Sequence, residues 1–297
     1  MSTTAPDRTG RIPCGLCGTE MDRRPVGDTD MLLCGTCGMG RVPEMGTGPD
    51  FWLAEGETEL DKDYWTTARS GMFAKALAHL QGSGPKGRLV DLGGGVGHFA
   101  ELALGRGWDA YSVDISEAAR KAAAERLGED RSLSVDEVRR FTGQCDVVTL
   151  WCVIAHVLDP LELVHQAVSL LKPGGRLLVT TPNFIFQGSL ARLLARLDKP
   201  YDLVCRDHIL HFTPGAVERL LSQAGLSSWS FEYLGVTDNC FFSRRFARVL
   251  VPLKRVWNYT GSLVARIGLP PVCAELQVVA VKQPSGPGRS PELPAGS

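Results

Sequence analysis

The feature that most narrows the fold is a glycine-rich turn set between a strand and a helix. Residues 88–92 (RLVDL) are strand-like, Gly93, Gly94, Gly95 and Gly97 follow, and residues 99–106 take up helical spacing. Glycine in that place allows a tight turn and lets a ligand approach bare backbone. The alternation continues with a strand over 110–113, a helix over 117–127, a weaker strand near 132–135 and an unbroken apolar run over 146–153 (DVVTLWCV). A run that is apolar at every position suits a strand covered on both faces. A helix over 160–171, stopped by Lys172-Pro173-Gly174-Gly175, leads to a strand over 176–180; a helix over 214–224 and strands over 228–234 and 275–281 follow. Seven strands alternating with helices predict an α/β fold, a doubly wound Rossmann-like sheet.

Two cysteine pairs near the start define a second module. Cys14-x-x-Cys17 and Cys34-x-x-Cys37 are separated by sixteen residues, which lies within the spacing of a four-thiolate zinc site. Each pair runs on into a glycine, Gly18 or Gly38, where the chain must turn back beneath the sulfurs. Residues 31–33 read as a short strand entering the second knuckle. A redox pair would need a βαβ context and would leave the second pair unexplained. Four protein ligands close the tetrahedron, so the metal, Zn2+, is expected to be structural. The chain then divides into a disordered start plus zinc ribbon (1–45), a linker and helix (46–82, the helix over 66–81), the main α/β domain (83–282) and a disordered tail (283–297). Two insertions interrupt the α/β domain, at 183–213 and 237–273. Both are candidates for substrate recognition.

The glycine turn lies between two carboxylates. Asp91 precedes it, placed to organise the loop and to meet an ammonium group, and Asp114 ends the next strand, seventeen residues after Gly97. An acid there can accept both hydroxyls of a ribose. A dinucleotide fingerprint beginning at Gly93 would require a third glycine where His98 stands, so the pyrophosphate reading fails.

The segments VDLGGGVGHFAE, YSVDIS, CDVVTLWCVIAHVLDP, LKPGGRLLVTTPN and DHILHFTPGAVERLLSQAGL together resemble a class I S-adenosylmethionine-dependent methyltransferase, over roughly residues 60–282. The four-cysteine ribbon and Asp63-Tyr64-Trp65 are similar to one branch of that family. The resemblance implies that Gly93, Gly94, Gly95 and Gly97 wrap the methionine part of S-adenosylmethionine. It also implies that Asp114 binds the ribose, Ile115 flanks the adenine and Trp151 borders the methyl donor. Cys152 and Ala155 stand where the family usually carries acids.

Methyl transfer from a sulfonium is an in-line displacement, so positioning supplies most of the acceleration, and a base is needed only for a hydroxyl, protonated amine or carbon acid. Asp207-His208 and His211 end the first insertion, just before a helix opened by Thr213-Pro214. They are the candidate base region, by likeness to carbon-methylating relatives; an anchoring role for the lid is the alternative. His156 follows the fourth strand with either a structural or a catalytic role, and Cys152 lacks the context of a nucleophile.

Composition bounds the partners. With 32 Lys+Arg against 33 Asp+Glu the net charge is −1, which argues against a long nucleic acid as a whole-chain partner. Residues 1–50 hold five basic and seven acidic side chains, so the ribbon is not a phosphate-binding surface by charge. The stretch 241–269 carries six Lys or Arg and no acid, which points to an anionic or carrier-linked small-molecule substrate. No apolar run reaches the roughly 18 residues that span a bilayer, and a cytoplasmic location is expected. The expected function is methyl transfer to an oxygen or carbon of a small molecule, a sugar or secondary metabolite. The alternatives are an RNA methyltransferase gripping its substrate through the ribbon, and a non-catalytic interaction protein on a methyltransferase fold.

Overall fold

The computed structural model describes residues 12–43, 69–81, 85–198, 208–232, 256, 259–260 and 273–283. Asp207, the Asp63-Tyr64-Trp65 segment, most of the second insertion and the tail lie outside the described residues.

The main sheet has seven strands: β4 (Arg88–Leu92), β5 (Asp109–Val113), β6 (Ser132–Leu133), β7 (Cys145–Trp151), β8 (Leu171–Pro182), β10 (Ser228–Phe231) and β11 (Glu275–Val281). Their order is β10-β11-β8-β7-β4-β5-β6. From β8 to β6 the neighbours are parallel, while β11 runs antiparallel to both β8 and β10. Chain direction across the sheet therefore reverses at β4, which lies between β5 and β7. In such sheets the crevice outside the carboxyl ends of the strands at that reversal is where ligands bind.

Side chains alternate across each strand, so one strand serves two cores. Leu89, Val147, Leu178 and Val279 face α1 (Ser70–Gln81) and α2 (His98–Gly105), whose Phe73, Leu77, Phe99 and Ala103 complete that layer. Val90, Val148, Leu177 and Val278 face α4 (Pro160–Leu170) and α6 (Pro214–Gln223). The α1 stripe Phe73, Ala76, Leu77 and Leu80 is buried as its spacing predicts. Between β5 and β6 runs α3 (Glu117–Leu127), capped by Ser116, whose side chain accepts from the Ala119 N–H.

The amino-terminal module is a hairpin, β1 (Met21–Val26) and β2 (Thr29–Cys34), with a two-residue β3 (Gly40–Arg41). Sequence reading finds only part of β2, because MDRRPV carries no apolar alternation. The module also shares its sheet with the main domain: β3 pairs with β9 (Leu210–His211). Two paired residues are a slender join. Its hold is apolar, since Leu16, Met21, Leu32 and Met39 are at most 5% exposed and belong to the same cluster as Ile209, Leu210 and Phe212. Each such side chain contributes roughly 1.5–3 kcal/mol when fully buried. The first insertion opens with a helix, α5 (Phe184–Ala195), capped by Asn183, and its Phe184 and Ala191 pack on Val26 and Met31 of the hairpin.

Candidate active site

The turn from β4 into α2 takes left-handed backbone at Gly93, Gly95 and Gly97, with φ of 71°, 54° and 87°. A side chain at Gly93 would come within 2.6 Å of Val153, so this glycine is required by close packing as well as by φ. Gly95 differs, because a Cβ there would meet nothing within 4 Å. The open backbone at Gly95 is where a ligand can lie.

Asp91 sits under the turn, 2% exposed, and accepts a 2.6 Å hydrogen bond from Thr149 Oγ1. Burial lifts its carboxyl to about 7, opposed by the Thr149 bond and reinforced by the charge of Asp114. Asp114 is half-buried. Its Oδ2 accepts from the Gly95 N–H and its Oδ1 from the Ser116 N–H, both at 2.9 Å. A carboxylate offers about four acceptor positions, so two remain for a diol. Arg120 donates to the Asp114 and Ile115 carbonyls at 2.9 Å and fixes the turn that presents Ile115, which is 61% exposed. Loop, acid and exposed apolar side chain thus stand in the order that an adenosine bearing a charged tail requires. Trp151 is placed differently, 5% exposed among Phe73 and Phe99, with ring centroids at 4.7 and 5.0 Å.

Beyond β7 the backbone is forced. Cys152 has φ of 60°, a left-handed value that costs a side-chain-bearing residue about 1–3 kcal/mol. Its N–H points at both the carbonyl and Oγ1 of Thr180, at 3.1 and 3.0 Å. Its thiol lies 3.3 Å from Nη2 of the buried Arg69, which in turn is 3.8 Å from Glu275 Oε1. Burial pushes this thiol up, away from the thiolate form that a nucleophile needs. Sequence reasoning gave no sign of Arg69 or Glu275, which come together only through the fold.

Three histidines meet at the same rim. The rings of His156 and His208 stack at 4.6 Å, and His208 and His211 meet edge to face at 6.2 Å. Burial, with the electrostatic influence of His156, His211 and Arg69 adding to it, drives His208 down to about 2. Burial also takes His211 down to about 4, partly offset by a hydrogen bond to the His208 backbone. His208 Nδ1 and His211 Nε2 have no partner among the described residues. Neutral imidazoles with bare ring nitrogens can each take a proton or accept a hydrogen bond. The expectation that an acid raises their basicity rests on Asp207, outside the described residues.

Away from this rim, one sulfur each of Cys14, Cys17, Cys34 and Cys37 lies within 4.8 Å of all the others, with Cys14–Cys37 at 3.6 Å and Cys17–Cys34 at 3.3 Å. A tetrahedral ion with Zn–S bonds of about 2.3 Å has edges of about 3.8 Å, so the thiols fit such an ion with little movement. The Cys37 thiol, with help from the Leu16 and Cys17 N–H groups, draws Cys14 down to about 5 despite burial.

A family model described as "Methyltransferase domain" matches residues 64–230. The ubiquinone biosynthesis O-methyltransferase of Thiobacillus denitrificans is 31% identical over 164 residues, which cover 51% of this chain and 68% of the relative. Its counterpart in Aromatoleum aromaticum is 30% identical over the same shares. Among solved structures, the plantazolicin methyltransferase in complex with a triazolic desmethylPZN analog and SAH superposes with a TM-score of 0.50 at 14% identity, covering 79% of this chain and 94% of that one. A chain of the complex between the Haloferax volcanii Trm112 methyltransferase activator and a methyltransferase gives 0.50 at 17% identity, covering 81% and 100%. These two likenesses bear on the fold.

Proposed function

We infer, for a chain that belongs to the methyltransferase-domain family and is an S-adenosylmethionine-dependent methyltransferase, that it methylates a hydroxyl oxygen of a small molecule. The observation that carries the choice of oxygen is the run of relatives named O-methyltransferases, 31% and 30% identical over 164 residues. When bound, S-adenosylmethionine supplies an electrophilic methyl group on a positively charged sulfur. Asp91 meets the ammonium of the donor's tail, Gly93, Gly94, Gly95 and Gly97 wrap that tail, Asp114 takes the ribose diol and Ile115 covers one face of the adenine. Trp151 stiffens the wall behind the donor through its contacts with Phe73 and Phe99.

On the acceptor side, His208 or His211 receives the hydroxyl proton as the oxygen is methylated, and Asp207 orients the pair. Burial keeps both imidazoles neutral and so open to a proton, and His208 becomes cationic only as the sulfonium charge is lost. Four thiolates hold a structural Zn2+ in the ribbon. The basic, acid-free stretch 241–269 supports an anionic or carrier-linked acceptor.

The test uses donor labelled with 13C in its methyl group and a panel of carboxylated and neutral phenols and sugars, read by SAH formation and by the methyl carbon shift of the product. An O-methyl signal supports the reading. A C-methyl product, or label found only in RNA from extract, overturns it.

A further inference from the structure

We propose that the second cysteine knuckle and the strand after it, residues 34–41, act as a positioning device for the acceptor histidines, set by the metal and transmitted through β9. The inference rests on the reading that His208 and His211 border the acceptor.

The mechanical path is continuous. Thr213 Oγ1 donates to the Cys37 carbonyl at 3.1 Å and accepts from the Ala216 N–H at 3.2 Å, so one hydroxyl joins a metal-ligand residue to the first turn of α6. Gly38 is pressed against the same threonine: its φ is 73°, and a Cβ there would lie 2.9 Å from Thr213 Oγ1. Two residues on, Gly40 pairs with His211, Arg41 with Leu210, and the Val42 N–H donates to the Ile209 carbonyl at 2.9 Å. On its other side Ile209 donates to the Ala155 carbonyl at 2.9 Å, in the turn that carries His156. The backbone of β9 is therefore gripped between the ribbon and the end of β7.

What the grip fixes is a ring whose one directing hydrogen bond runs to the His208 backbone, in the same short segment as β9. His211 is 3% exposed and its Nε2 has no partner among the described residues, so the placement of that nitrogen follows from the backbone of 208–211, to which the ring is hydrogen-bonded at His208, and from the Phe184 ring, 5.3 Å away. Phe184 is itself seated against the ribbon, since a Cβ on Gly40 would fall 3.1 Å from its ring edge and Met31 belongs to its cluster. Both constraints on His211 thus pass through the module that the four thiols close. A module of this size loses its fold when its metal is removed, and a displacement of about 1 Å at a reacting group can cost roughly 10²-fold in rate. The donor cradle hangs on β4 and β5, so its affinity should not follow.

The test compares the zinc-loaded full chain with the Gly38→Ala variant, shown by elemental analysis to keep its metal, and with the parent stripped by chelator and then reloaded. Three quantities are read: hydrogen exchange across 209–213, the His211 ring signals in NMR, and donor affinity by calorimetry. Faster exchange by tenfold or more, shifted His211 signals and donor affinity within twofold of the parent are expected, with zinc reloading restoring the stripped protein. On the acceptor found with the labelled donor, kcat should fall ten- to hundredfold in Gly38→Ala. Parental exchange and ring signals in the metal-loaded variant would overturn the proposal, as would altered ones with unchanged kcat. Failure of the underlying reading has a separate mark: His208→Ala and His211→Ala would each leave kcat alone.

Discussion

Replacing Asp91 by Asn separates what this residue does to stability from what it does for the donor. In the folded chain burial raises its carboxyl from 3.8 to about 7; in the unfolded chain it returns to the ordinary value. The folded state therefore binds this proton more tightly, and the contribution of Asp91 to stability is highest below pH 3.8 and is lost as pH rises through 7. At 1.36 kcal/mol per pH unit, ionised Asp91 costs about 4 kcal/mol at pH 8, and about 2 kcal/mol at pH 5, where only the unfolded chain carries the charge. Asparagine has the same shape, keeps an oxygen for Thr149 Oγ1 and carries no charge. Asp91→Asn should consequently be more stable than the parent at pH 8, by up to that amount, with the advantage roughly halved at pH 5. It also removes the anion that meets the donor's ammonium, a bond of about 1.5–3 kcal/mol, so donor affinity should drop tenfold or more. Urea unfolding at the two pH values and calorimetry with S-adenosylmethionine measure both effects. A variant no more stable than the parent at pH 8, or equally favoured at both pH values, would refute the buried-charge argument. Unchanged donor affinity would take Asp91 out of the donor site.

The other expectations are briefer. Elemental analysis should find one zinc per chain, and Cys14→Ser should lower the thermal stability of the ribbon while leaving donor binding measurable; protein purified without chelator and found metal-free would contradict this. Asp114→Ala should weaken donor binding by about 2–4 kcal/mol in calorimetry, and Asp114→Asn by less, because it can still accept from the Gly95 N–H. Since His208 and His211 stay neutral far below physiological pH, kcat at saturating donor should show no imidazole inflection between pH 5.5 and 8. His208→Ala should lower kcat by roughly 10² to 10⁴, and an inflection near the ordinary imidazole value would show that bound ligands undo the desolvation.

Strand β7 was legible because it is covered on both faces and so reads as an apolar run; β4, α3 and β11 end where their patterns end. The glycine turn with Asp91 and Asp114 was legible for a local reason, since glycine and aspartate at those positions answer backbone demands. The acceptor rim was not. Arg69, Cys152, Thr180 and Glu275 come from four separate segments, and no local pattern ties them together. The β3–β9 pairing was invisible because two residues have no periodicity, and α5 read only as an apolar insertion because Gly188 and scattered arginines blur its stripe. The histidines were found by position, but their neutrality depends on burial, which spacing does not reveal.

The place of β11 has a consequence for how the chain assembles. It fills the gap between β8 and β10 through seven register pairs with β8, from Glu275–Pro182 to Val281–Arg176, yet in synthesis order it is made after both. Until it arrives, β8 presents an unpaired edge of Leu177, Leu178 and Val179, the kind of edge that recruits foreign strands. Closure of the sheet is a long-range event, joining residues about a hundred positions apart, and such pairings form slowly. Nascent protein therefore passes through a stage in which the apolar edge of β8 is complete and its cover is not, and yield in the cell should depend on how long that stage lasts.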